Sequence, residues 1–140
     1  MALALALIAN VLAIAAIIWQ FLTWRWSGPK IKVSVHLSAV GEPGGLFEAI
    51  RVVAVNDGRF ATQIIAWGVI FASGTIFPFP GSFQGSDACP ITLDPKHRAG
   101  WLASIPDIKG GDTGIIRFRG FVGLATGETM TSKKFVTLKN

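Results

Sequence analysis

With one cysteine and two histidines among 140 residues, the chain has little of the chemistry from which most reactive sites are built. A lone Cys89 excludes an internal disulfide, and with it the stapled scaffold of many small secreted domains. His36, Cys89 and His97 lack the close ligand spacing of a zinc site, so no metal is expected, and no motif calls for a cofactor. The glycine-rich "KGGDTG" at 109–114 lacks the terminal Lys-Ser/Thr of a phosphate loop and leads into a strand-like run, so it reads as a turn. Internal repeats, low-complexity tracts and long Gly/Ser linkers are also missing. Disordered-tether and repeat architectures are therefore set aside.

The most consequential absence is at the start of the chain. From Ala2 to Trp24 no side chain is ionisable, and Asn10 and Gln20 are the strongly polar residues. A hydrocarbon layer of roughly 30 Å needs about 20 helical residues at about 1.5 Å each, so residues 1–26 are predicted to form a transmembrane helix. Trp19, Trp24 and Trp26 gather at one end, where indole rings sit at headgroup level. A cleaved secretory signal is the competing reading. It needs Lys or Arg before a short apolar stretch and a small-residue cleavage site after it. Met1-Ala2-Leu3 carries no cation and the run ends in bulky aromatics, which favours an uncleaved anchor.

Orientation follows from the same segment. Arg25, Lys30 and Lys32 come just after the span, whereas the other flank carries only the α-amino group. Lys and Arg flanks stay on the cytoplasmic side, so the expected topology is a single pass through the inner cell membrane, N-terminus outside and domain in the cytoplasm. An unpaired Cys89 agrees with a reducing compartment. A partner protein that dictates topology is the alternative.

Every Lys, Arg, Asp and Glu falls after Trp24, so the net charge of +5 belongs to the part outside the bilayer. That part, roughly 115 residues, is enough for one core. Ser27-Gly28-Pro29 is the only join, giving a division into anchor (1–26), short join (27–30) and one domain (31–140). The domain reads as strands. "KIKVSVHLSAV" alternates, with Ile31, Val33, Val35, Leu37 and Ala39 on one face and Lys32, Ser34, His36 and Ser38 on the other. Further strands are predicted over 47–55, 61–71, 75–79, 91–93, 98–103, 115–124 and 129–138. The turn signals are "GEPGG" at 41–45, Asn56-Asp57-Gly58 as a hairpin-type turn, Ser73-Gly74, and Ala125-Thr126-Gly127-Glu128. Seven or eight short strands with no convincing amphipathic helix predict an all-β domain, an antiparallel immunoglobulin-like sandwich, with a small closed barrel as runner-up.

"VNDGRFATQIIAWGVIF", "CPITLDPKHRAGWLA" and "RGFVGLATGETMTSKKF" together resemble small uncharacterised immunoglobulin-like β-sandwich proteins of actinobacteria and their phages. The shared features are an Asn-x-Gly-Arg turn (Asn56, Gly58, Arg59), a Trp-Gly in the next strand (Trp67, Gly68), a Leu-x-Pro segment (Leu93, Pro95) and a closing Thr-Gly hairpin (Thr126, Gly127). Lys96 stands where such proteins have Gly after the Pro. The resemblance spans most of the domain but not the anchor, and it implies a fold without an assigned activity.

Asp87, Cys89, Asp94 and His97 form the densest group of reactive types. A cysteine nucleophile needs a base in hydrogen-bond reach and an orienting partner, plus donors for an oxyanion. No glycine-rich elbow supplies the last, and Asp94-Pro95-Lys96-His97 reads more simply as a β-turn with Pro at its second position. No enzyme is expected, and a tethered hydrolase using Cys89 and His97 is a distant third reading.

Three surfaces are candidates for contact. Ala2, Ala6, Ala9, Ala13 and Ala16, continued by Gln20, form a small-residue stripe along the helix with Asn10 beside it, a pattern that lets two spanning helices approach and hydrogen-bond. A basic surface is expected where Arg119 faces Lys134 across the last hairpin, with Leu124 opposite Thr129 and Arg117 alongside. It would suit anionic lipid first, an acidic partner next, and nucleic acid least. Finally, "IFPFPGSF" places Phe77, Phe79 and Phe83 between prolines as a candidate docking loop, or as a plug for the open end of the sandwich. The functional expectation is a non-catalytic, membrane-anchored binding or assembly module. The alternative is an accessory or structural subunit of a larger complex, host- or phage-encoded, held through its helix.

Overall fold

A computed structural model of the chain describes residues 1–80, 85–109 and 114–139. It contains one N-terminal apolar helix followed by an antiparallel all-β domain of two sheets. Helix α1, Ala2–Trp26, runs 25 residues and has no buried residue. Ala and Leu favour the helix, and the hydroxyl of Thr23 donates to the carbonyls of Trp19 and Gln20, so it adds no unpaired polar group to the apolar surface. Ser27 ends the helix by donating both its N–H and its Oγ–H to Trp24 O.

The strands are β1 (Ile31–Glu42), β2 (Gly45–Asn56), β3 (Thr62–Phe71), β4 (Ile76–Pro78), β5 (Ile91–Leu93), β6 (Arg98–Ser104), β7 (Ile116–Leu124), β8 (Thr129–Thr131) and β9 (Val136–Leu138), with a short helix α2 (Ile105–Lys109) before β7. One sheet has the order β1-β2-β6. In the other, β3 and β7 pair at the centre, β4 and β5 share the outer edge of β3, and β8 and β9 share the outer edge of β7.

The two sheets bury Ile50, Val52, Ile64, Val69, Phe118 and Val122 between them, each fully shielded from solvent. Burying such side chains supplies about 1.5–3 kcal/mol apiece. Trp67 of β3 and Trp101 of β6 stack across the interface with centroids 6.0 Å apart and planes 16° apart. Gly120 of β7 sits where a Cβ would lie 2.4 Å from Val35 Cγ2, so only glycine lets β1 close over β7.

Four local expectations are corrected. The run 129–138 is two strands, because Ser132 breaks it: its backbone N–H donates to Gly120 O, and its Oγ accepts from Gly120 N–H and donates to Lys134 O, which throws residues 133–135 outward. The strand count among the described residues therefore becomes nine. Asn56-Asp57-Gly58 is not a hairpin turn, since β2 and β3 belong to different sheets and the segment crosses between them. In the last hairpin Leu124 opposes Glu128, not Thr129: Gly127 adopts φ 88°, its N–H bonds Leu124 O, and Leu124 N–H bonds Glu128 O. Lastly, α2 was not foreseen. It covers the sandwich with Ile105 and Ile108, a helix too short for its period to register.

The alternating face of β1 also behaves differently along its length. Ile31 is buried and Val33 and Val35 pack on the core, but Leu37 is 58% exposed and Ala39 is exposed too. The β1–β2 hairpin outruns the sheet that covers it.

Candidate functional site

The end of the domain nearest the helix is built around Asn56, a polar side chain with no solvent exposure. Its backbone N–H donates to His97 O (3.0 Å) and its carbonyl accepts from Lys96 N–H (2.8 Å). Its Nδ2 donates to Phe60 O (2.7 Å) and Leu93 O (3.0 Å), while Oδ1 accepts from Gly58 N–H (3.0 Å). One residue thus ties three segments together: its side-chain amide holds the crossover 56–60 and the end of β5, and its backbone holds the turn 94–97. A buried amide with every polar atom matched is a rigid junction, because breaking any bond strands a group away from water.

The join is fastened to this junction. Asp57 N–H donates to Lys30 O at 2.8 Å. Gly58 lies so close to the join that a Cβ there would be 2.5 Å from Gly28 O and 2.6 Å from Lys30 N. Lys96 takes φ 65°. This left-handed backbone is costly for a side-chain-bearing residue. Its Nζ donates to Asp57 O at 3.1 Å. Asp57 also pairs with Lys32, whose hydrogen bond and charge, with a smaller contribution from the Lys96 charge, hold the Asp57 carboxyl below the usual carboxylate range. Phe60, which the sequence reading passed over, is 58% exposed beside Arg59. The NDG triplet was the available signal, but turn chemistry alone does not reveal that Asn56 is buried.

The predicted surfaces are placed as follows. Ala2, Ala6, Ala9, Asn10, Ala13, Ala16 and Gln20 are exposed along α1, as are Trp19, Trp24, Arg25 and Trp26; Lys30 is exposed in the join. Lys134 does not face Arg119. It sits exposed in the 132–135 bulge, and Phe135 takes its place, its ring lying 5.4 Å from the Arg117 guanidinium and 5.5 Å from that of Arg119. Those distances are cation–π contacts, which relieve the like-charge arrangement expected from the misread register. Arg119 Nε is buried without a hydrogen bond among the described residues. Both arginines lie well away from the join. At about 3.3 Å per strand residue, Arg119 and Arg117 stand roughly 16 and 23 Å along β7 from Leu124. Leu124 marks the helix-proximal end, since it pairs with Ile64 near the β3–β5 contact at Thr62 and Leu93.

Phe79 stacks on Trp67 at 4.9 Å and packs against the core, and Phe77 meets Phe79 edge-on at 5.2 Å while staying 40% exposed. Phe83 and most of the 109–114 turn lie outside the described residues.

The reactive types are engaged elsewhere. Asp87 Oδ2 accepts from Gly100 N–H (2.7 Å) and closes the edge of β6. His97 Nδ1 is 3.0 Å from Pro95 O, and His36 Nε2 is 3.1 Å from Ser34 Oγ. Cys89 is half-buried, and burial pushes its thiol pKa up, which works against a thiolate. Among the described residues Cys89 makes no hydrogen bond to His97 or Asp94, and no group of three or more metal-ligating side chains gathers. A groove of about 480 Å³ crosses the outer face of the three-stranded sheet, lined by His36, Ser38, Arg51, Asp87 and Arg98.

No protein-family model matches the chain, and no curated protein does. Among solved structures it is similar to a Bordetella pertussis protein provisionally named ApaA, at 18% identity over 81% of this chain and 95% of that one, with a TM-score of 0.46. It is also similar to the structural-genomics target SoR45, at 15% identity over 80% of this chain and 86% of that one, with a TM-score of 0.38. With identities and scores this low, neither likeness carries an argument about function.

Proposed function

We propose that the chain is a single-pass membrane protein whose β-domain is a non-catalytic binding or assembly module held at the cytoplasmic surface of the inner membrane. The observation that carries this reading is the 25-residue apolar helix, uncharged from Ala2 to Trp24 and with no buried residue, leading into a join locked to the domain by Asp57 and Gly58. A helix with that surface buries no side chain against the other described residues, and its largely apolar face suits hydrocarbon. Arg25, Lys30 and Lys32 at its end favour the cytoplasmic side.

An immunoglobulin-like Greek key is part of the proposal. It is supported by the order β1-β2-β6 facing β4-β3-β7-β8, with consecutive strands switching sheets between β2 and β3. The resemblance to β-sandwich proteins of actinobacteria and their phages belongs with it. The left-handed backbone of Lys96 is in keeping with the Gly at that position in those proteins.

The test is extraction of membranes with alkaline carbonate, followed by an impermeant thiol reagent applied to intact cells carrying Ser73→Cys or Thr126→Cys. The expected result is retention in the pellet with no labelling until the cells are opened. Release by carbonate removes the anchor, and labelling in intact cells reverses the topology. The second reading, a subunit held in a larger complex through its helix, rests on the exposed Ala stripe with Asn10 beside it. Deleting residues 1–26 then abolishes partner capture, whereas a free-standing module keeps it.

A further inference from the structure

We propose that the helix-proximal end of the domain is itself a lipid-binding surface that docks on anionic phospholipid through Arg59, Phe60 and Lys96, and that the basic face of β7 is not the lipid site. This rests on the anchored reading above and specifies which surface the membrane meets.

Three observations carry it. The first is position. Gly58 touches the join through backbone atoms, and Asp57 N–H holds Lys30 O, so the crossover 56–60 is carried to wherever the helix leaves the bilayer. Lys96, bonded to Asp57 O, goes with it. Arg117 and Arg119, by contrast, lie toward the opposite end of β7, and their ring partner Phe135 is already in contact with both guanidinium groups.

The second is charge. The segments 24–32, 56–60 and 94–98 carry Arg25, Lys30, Lys32, Arg59, Lys96 and Arg98 against the carboxylates Asp57 and Asp94, with Glu128 on the neighbouring hairpin beyond Leu124, and Asp57 is paired with Lys32. An anionic leaflet attracts such a cluster, each cation near the surface strengthening contact about fivefold. Phe60, 58% exposed and adjacent to Arg59 in the crossover, supplies an apolar ring for the headgroup region.

The third is strain. Lys96 keeps a left-handed backbone that glycine would adopt freely. The side chain held there donates through Nζ to Asp57 O, which fixes its cation at this end of the domain.

The experiment uses the full chain reconstituted into vesicles of phosphatidylcholine alone or with about one third phosphatidylglycerol, a fraction chosen to give a strongly negative surface. Lysine acylation rates are read residue by residue by mass spectrometry, and carbonate extraction of the same vesicles is run in parallel. Lys30 and Lys96 are expected to react severalfold more slowly in the phosphatidylglycerol vesicles, while Lys133 and Lys134 are unchanged. The protection should fade at high salt. The double variant Arg59→Ser with Lys96→Gly should return Lys30 to its phosphatidylcholine rate. Lys96→Gly suits the purpose because it removes the charge while relieving the backbone, and a melting temperature no lower than that of the parent chain confirms the fold. Equal rates in both vesicles with the chain still carbonate-resistant overturn the docking proposal and leave the anchor standing. Protection of Lys133 and Lys134 instead moves the lipid to the β7 face and also overturns it. Carbonate release removes the anchor, and the docking proposal falls with it.

Discussion

The two ends of the β1–β2 hairpin are built on opposite terms. At the helix-proximal end Ile31 and Asn56 are opposed, both buried, and Asn56 stitches the crossover 56–60 and the end of β5 through its amide and the turn 94–97 through its backbone. At the far end Leu37 and Leu46 sit on the same inward-facing side, yet they are 58% and 81% exposed. The strand pairing is equally regular at both. What differs is whether a second layer lies opposite. A ladder of backbone hydrogen bonds extends as far as two strands run side by side, but burial ends where the facing sheet ends. The rigid end is the one that receives the join, so motion of the helix is transmitted to the domain there, while the far end is free to vary.

The contrast can be broken most forcefully at Asn56. Asn56→Ala leaves Phe60 O, Leu93 O and Gly58 N–H without their partner, and a loss of about 3 kcal/mol is expected, read from the urea midpoint of the solubilised chain. Gly58→Val drives a side chain into the join backbone. It should cost about 2 kcal/mol and speed amide exchange at Asp57, whose N–H depends on Lys30 O. Leu37→Ser and Leu46→Ser at the far end should each stay within about 0.5 kcal/mol, and a loss comparable to that of Asn56→Ala would show that a partner or a second copy covers that face. Lys96→Gly is expected to gain no more than about 1 kcal/mol, the relief of a left-handed backbone offset by a looser unfolded chain. The smallest effect concerns pH. The folded-state pKa of Asp57 is depressed, so its pairing with Lys32 contributes fully above the usual carboxylate pKa and is lost as pH falls through the folded value; Asp57→Asn should lower the neutral plateau slightly, leave the acid end unchanged and so flatten the limb between them.

The corrections have a shared cause. The last β run was read as a single strand because periodicity records which residues suit a pleated ribbon, not where the ribbon must bend to stay on its neighbour. The bend at Ser132 exists to satisfy Gly120, a residue twelve positions earlier whose own identity is dictated by Val35 in the other sheet. Misreading that register by one step put Lys134 opposite Arg119, and the structure replaces it with Phe135, which changes a repulsive surface into a cation–π contact. Phe77 and Phe79 were ambiguous for a similar reason: an aromatic between prolines is a plug or a docking patch according to what stands beneath it, here Trp67.

Local pattern was sufficient for the uncharged helix, for most strand positions and for the turn glycines, because hydropathy and backbone preference act over neighbouring residues. The division into two sheets, the bulge at Ser132, the burial of Asn56 and the distance between the arginines of β7 and the join were decided by tertiary structure. Each depends on groups brought together from separate segments, and a sequence read in order carries no measure of which segment will lie opposite which.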